Sequence, residues 1–137
     1  MSVTNDFENI RLGELNGIVL IELVCCDVQG PDRAQKFSAE LISVAEQDSQ
    51  QPILLDMRRC SYFSSMGYAS LFRLVKQSKE RGRLVKFCNM HPDVKVGADI
   101  VGLYHVVDVY DTRESALQAF FEPEGDLDLR STEAKPG

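Results

Sequence analysis

Two adjacent hydroxyls, Ser64 and Ser65, stand between an aromatic pair, Tyr62-Phe63, and the dipeptide Met66-Gly67. The residues after Gly67 have helical spacing, so these serines lie where a loop enters a helix. Two chemistries suit that place. A serine hydroxyl can accept from the free amides of the first turn and act as an N-cap. A serine there can also carry a phosphate, because a helix start favours anions through its amides and its dipole. A phosphate adds about −1.5 to −2 charges, and that charge spoils a flush protein contact made by the same face. Capping is the plain structural role of the pair, and a phosphorylation switch is the functional one.

The other reactive side chains offer less. Asp56 ends an apolar strand and has the position of a phosphoacceptor, but such a site needs further convergent oxygen ligands for Mg²⁺. Asp27 follows the preceding strand alone. The two histidines, His91 and His105, fall at element boundaries. There is no GxSxG elbow and no GxGxxG or P-loop signature. The four cysteines, Cys25, Cys26, Cys60 and Cys88, form no CxxC pair. Reduced, mostly buried thiols are the expectation, with neither a disulfide framework nor a zinc site. No catalytic residue, cofactor or metal is therefore assigned.

The bulk properties narrow the class further. A chain of 137 residues is one domain's worth. Its hydrophobic content of 44% and charged content of 26% are those of a globular protein. The net charge of −6 argues against gripping a phosphate backbone. Residues Met1 to Ile10 lack the basic and apolar regions of a signal peptide. No apolar run approaches the ~20 residues of a membrane span. The expectation is a cytoplasmic protein with no membrane insertion and no nucleic-acid partner.

The elements that position the serines follow from pattern. Ile10 to Leu15 and Ile18 to Cys25 flank Asn16-Gly17, a hairpin turn signal. Pro31 opens a helix with Ala34, Phe37, Leu41 and Val44 on one stripe. Ile53 to Leu55 is a short buried strand running into Asp56. After the serines, Tyr68, Leu71, Phe72 and Val75 form a second helical stripe that stops at Gly82. Leu84 to Cys88 is a strand, and His91-Pro92-Asp93 starts a helix ending near Gly102. Val106 to Tyr110 is the last strand, and Asp111-Thr112 caps a helix carrying Ala116, Leu117, Phe120 and Phe121. Strict alternation after the hairpin predicts an α/β fold, with the later strands parallel. Arg73, Lys76, Lys79, Arg81, Arg83 and Lys86 lie on or just after the second helix, and a solvated basic face is expected there, the alternative being a face that meets an acidic partner surface. Residues 1–121 make the domain. Residues 122–137 carry five acids and two bases, half of the net charge, and are expected to be a disordered acidic tail.

With these residues in place, Phe7 to Phe121 resembles a STAS domain of the anti-sigma factor antagonist (anti-anti-sigma) family. The strongest part is ILLDMRRCSYFSSMGYASLFRLVKQSKERGRLVKFCNM, residues 53–90. Asp56 matches the family's strand-end aspartate, Gly67 the motif glycine, Gly82 the glycine before the next strand, and Gly102-Leu103 the pair after the third helix. Ser65 falls on the family's phosphorylated serine. Ser64 replaces the acidic residue before it, Met66 the following Ser or Thr, and Tyr68-Ala69 the usual Leu-Gly.

The resemblance implies a mixed sheet of four to five strands that opens with a β-hairpin and is packed by about four helices. It implies no cofactor and no enzymatic activity. It implies an anti-sigma factor with serine-kinase activity as partner, phosphorylation at Ser65 or Ser64, and contact through Tyr62, Phe63, Ser64, Ser65, Met66, Gly67 and Tyr68, although Tyr62 and Phe63 fit an interface or the core equally well. A homodimer is left open. The alternatives are an unphosphorylated STAS subunit of a stress-signalling or lipid-transport complex and, further off, a small-ligand binder or enzyme.

Overall fold

The computed structural model describes residues 7–121. The expected acidic tail, residues 122–137, lies outside the described residues. Strands β1 (Ile10–Leu15) and β2 (Ile18–Leu23) form the antiparallel hairpin. Asn16 and Gly17 both take positive φ, 51° and 84°, as a tight primed turn requires. A two-residue strand β3 (Asp27–Val28) leads to helix α1 (Pro31–Ala45). Then come β4 (Ile53–Asp56), β5 (Tyr62–Phe63), α2 (Ser65–Glu80), β6 (Val85–Cys88) and α3 (Pro92–Val101). A short 3-10 turn at Leu103–His105 precedes β7 (Asp108–Tyr110) and α4 (Arg113–Phe121).

The main sheet has five strands in the order β1-β2-β4-β6-β7. Only the hairpin is antiparallel. Successive side chains alternate between its two faces. Ile21, Leu55 and Phe87 lie on one face and pack against Phe37 and Leu41 of α1, Leu71 and Leu74 of α2, and Val94 and Ala98 of α3. Ile18, Leu20, Leu54 and Cys88 lie on the other, under Ala116, Leu117 and Phe120 of α4. The strands β3 and β5 pair in parallel as a separate two-stranded sheet beside the start of α2.

Three expectations change. The β3–β5 sheet is additional, and it is too short to leave a periodic signal. The second strand ends at Leu23, and the last begins only at Asp108, because Leu103–His105 closes a 3-10 turn before it. The basic face is not wholly solvated, since Arg83 and Lys86 are buried. Arg83 donates to the carbonyls of Val44 (2.9 Å), Ala45 (3.4 Å) and Gln51 (2.7 Å), and so caps the end of α1. Lys86 pairs with Asp108 at 3.4 Å and lies 5.4 Å from the ring centres of Tyr110 and Phe120.

Candidate functional site

The start of α2 is built on the two-stranded β3–β5 sheet. Ser64 has extended backbone angles, and its amide donates to the Val28 carbonyl at 2.8 Å. Its hydroxyl accepts from the Gly67 amide at 3.3 Å, so Ser64 is the N-cap. Ser65 is the first helical residue and its side chain is exposed. No acidic residue lies in this first turn. No carboxylate of the first turn therefore offsets the positive end of the helix next to the Ser65 hydroxyl.

Gly67 is required by packing, not by its backbone angle. A Cβ there would lie 2.9 Å from the Phe63 ring, 3.1 Å from Val28 Cγ1 and 3.2 Å from the Val28 carbonyl oxygen. That contact seats α2 on the β3–β5 pair. Phe63 sits between Phe37 and Tyr68, with ring centres 5.9 Å and 5.4 Å away. The Tyr68 hydroxyl donates to the Val94 carbonyl at 2.9 Å, and its ring lies against Gly97. α3 is thereby fixed beside the start of α2.

These positions correct the expected contact surface. Phe63, Gly67 and Tyr68 are core residues and present no face to a partner. Tyr62 and Met66 are each 50% exposed and Ser65 is open, with Ser64 half-buried between them. α3 adds the exposed apolar residues Val96, Ile100 and Val101, which sequence reasoning did not single out. Their signal was a helix whose apolar residues outnumber what one buried stripe needs.

A second cluster lies at the C-terminal ends of β2 and β4. Asp56 Oδ2 accepts from Arg113 Nη2 at 2.7 Å and Nε at 3.1 Å. Its Oδ1 accepts from the Arg58 amide at 3.0 Å and Asn89 Nδ2 at 3.1 Å. Arg113 also pairs with Glu22 at 2.9 Å. Burial alone raises the Asp56 pKa. The Arg113 hydrogen bonds, the Arg58 amide and Asn89 outweigh it and hold this carboxyl below the usual carboxylate range. Both of its oxygens are engaged, which suits a structural carboxylate and not a phosphoacceptor.

Among the described residues all four cysteines are free, with Cys26 exposed and the others buried. No described helix is long and apolar enough to cross a membrane.

An antiparallel hairpin feeding a parallel sheet, with a serine-capped helix start beside it, is the architecture of a STAS domain. A family model for the STAS domain matches residues 32–116. The chain is 30% identical over 101 residues to BtrV of Bordetella bronchiseptica, a proposed anti-sigma factor antagonist, covering 72% of this chain and 85% of that one. The solved STAS-domain anti-sigma factor antagonist protein from Planctomyces limnophilus superposes with a TM-score of 0.71 at 17% identity, over 82% of this chain and 98% of the other. Unphosphorylated SpoIIAA, an anti-sigma factor antagonist, gives 0.65 at 17% identity, over 81% and 95%. Phosphorylated SpoIIAA of Bacillus gives 0.60 at 17%, over 81% and 98%. The chain belongs to the STAS-domain family, and its fold is that of the anti-sigma factor antagonists.

Proposed function

We propose that this chain is an anti-sigma factor antagonist: a cytoplasmic, non-enzymatic binding module whose partner is an anti-sigma factor with serine-kinase activity. Ser65 is its switch. The observation that carries this reading is the exposed Ser65 hydroxyl at the first position of α2, with its neighbour Ser64 already used as the cap. Capping and phosphate acceptance are thus divided between the two serines. The exposed side chains Tyr62 and Met66 flank the hydroxyl and supply apolar contact area. Val96 and Ile100 of α3 are further exposed apolar side chains. A phosphate on Ser65 is tolerated by the helix start, while its charge and hydration oppose a close apolar contact. The unmodified form binds the anti-sigma factor and frees the sigma factor, and the phosphorylated form lets go. That SpoIIAA has been solved in phosphorylated and unphosphorylated forms supports the reading by family likeness.

The test compares Ser65→Asp with Ser65→Ala for binding to the anti-sigma factor of the native host, with intact-mass measurement of phosphate on the native chain. The aspartate variant is expected to bind at least about tenfold more weakly, the loss of one charge-opposed contact of ~1.4 kcal/mol. Equal affinities overturn the switch. A second reading, an unphosphorylated STAS subunit, is favoured by Ser64 in place of the family's acidic residue. Native protein without phosphate, together with equal affinities, would establish it.

A further inference from the structure

The described residues include eight arginines, and in five of them the guanidinium group donates to a side chain or a backbone carbonyl. The remaining three, Arg11, Arg58 and Arg59, have no hydrogen bond or ion pair to any described side chain or carbonyl through their guanidinium groups. All three line one cleft of about 160 Å³ at the C-terminal ends of β2 and β4, and Arg113 lines it too. We propose that this cleft binds a small tetrahedral oxyanion of the phosphate type.

The charge count supports a divalent anion. Four guanidinium groups face two carboxylates, Glu22 and Asp56, leaving an excess of two positive charges in a chain whose net charge is −6. Both carboxylates are already occupied by Arg113. The floor of the cleft is therefore fixed before a ligand arrives, with one net negative charge that the three free guanidinium groups outweigh by two. The three unpaired guanidinium groups come from two separate segments: Arg11 from β1, and Arg58 with Arg59 from the loop after β4. Planar guanidinium forks lining one cleft match the oxygens of phosphate.

Place and size agree. In open parallel sheets, ligands bind outside the carboxyl ends of the strands. A volume of about 160 Å³ holds about five waters at ~30 Å³ each. That is room for one oxyanion and its remaining waters. It is well short of the ~300 Å³ at which drug-sized pockets begin. Free inorganic phosphate and the phosphate end of a larger ester share this chemistry.

The experiment titrates the full chain with inorganic phosphate by nuclear magnetic resonance, against sodium chloride at matched ionic strength. A phosphate monoester such as glycerol phosphate is run alongside. Saturable single-site binding is expected for phosphate, with shifts centred on residues 11, 22, 58, 59 and 113. Arg58→Gln/Arg59→Gln and, separately, Arg11→Gln should weaken it by about tenfold or more. Lys76→Gln/Lys79→Gln, on the exposed side of α2, should leave it unchanged. Tighter binding of the monoester would assign the site to an esterified phosphate, and equal or weaker binding to the free ion. A linear response shared with chloride, or unchanged affinity in both arginine variants, overturns the proposal. Arg11, Arg58 and Arg59 are exposed, so unfolding without phosphate checks that the variants remain folded.

Discussion

Replacing Asp56 with asparagine tests the ion cluster that ties α4 to the sheet. Asp56 is 3% exposed and accepts four hydrogen bonds, two of them from Arg113. Hydrogen bonds to charged groups contribute about 1.5–3 kcal/mol each, and breaking a buried ion pair costs about 3–5 kcal/mol. Two features lower that figure here. The Arg113 side chain keeps 30% exposure and retains Glu22 at 2.9 Å. The expected loss for Asp56→Asn is therefore about 2–4 kcal/mol at pH 7. For a domain of this size that lowers Tm by roughly 10 °C. Urea unfolding followed by far-ultraviolet circular dichroism gives the difference directly. The double-mutant cycle with Arg113→Gln should return a coupling of about 1.5–3 kcal/mol. The pH dependence has a definite sign. The folded-state pKa of Asp56 is depressed, so its contribution is complete above the unfolded value near ~3.9. It is lost as pH falls through the lower folded value. The gap between wild type and Asp56→Asn should stay constant from about pH 7 to 5 and narrow below about pH 4. A difference under about 1 kcal/mol at pH 7, or additive single variants, would refute the reasoning.

Ser64→Ala removes the cap on the Gly67 amide and should cost about 1 kcal/mol in urea unfolding, while Ser65→Ala should cost almost nothing. Equal costs would move the cap to Ser65. Arg83→Ala removes three hydrogen bonds, two to the end of α1 and one to the Gln51 carbonyl, and leaves a cavity. It should destabilise by about 3 kcal/mol or more, and a near-neutral result would show that water replaces the guanidinium. Thiol labelling at pH 8 should find one fast site, Cys26, and four in urea. Cys88 resists because burial, with the Asp56 charge, pushes its thiol pKa up to about 12.

The start of α2 was legible because its determinants are local. Capping needs only Ser64 and an amide three residues on, and a helix start favours anions whatever packs around it. Asn16-Gly17, Pro31, Pro92 and Gly102 likewise act through their own backbone angles and mark element ends. Phe63 stayed open between core and interface, and Tyr68, although on the helical stripe, was also expected at the contact surface. An aromatic beside a motif has the same spacing whether it faces solvent or the interior, and only the β3–β5 pair and Gly97 of α3 decide that they are enclosed. Arg83 and Lys86 were read as solvated for a related reason. Nothing within a few residues shows that carbonyls 32–39 positions away, or Asp108, will receive them.

By itself the sequence determined the alternation of strands and helices, the hairpin, the helix ends and the serine pair at the start of α2. These depend on periodicity and backbone preference over a few residues. Tertiary structure alone decided which serine neighbours face outward, and that Asp56 is held by Arg113, 57 residues away. It also gathered Arg11, Arg58 and Arg59 into one cleft. Charge and burial are properties of surroundings, and surroundings exist only once distant segments have packed.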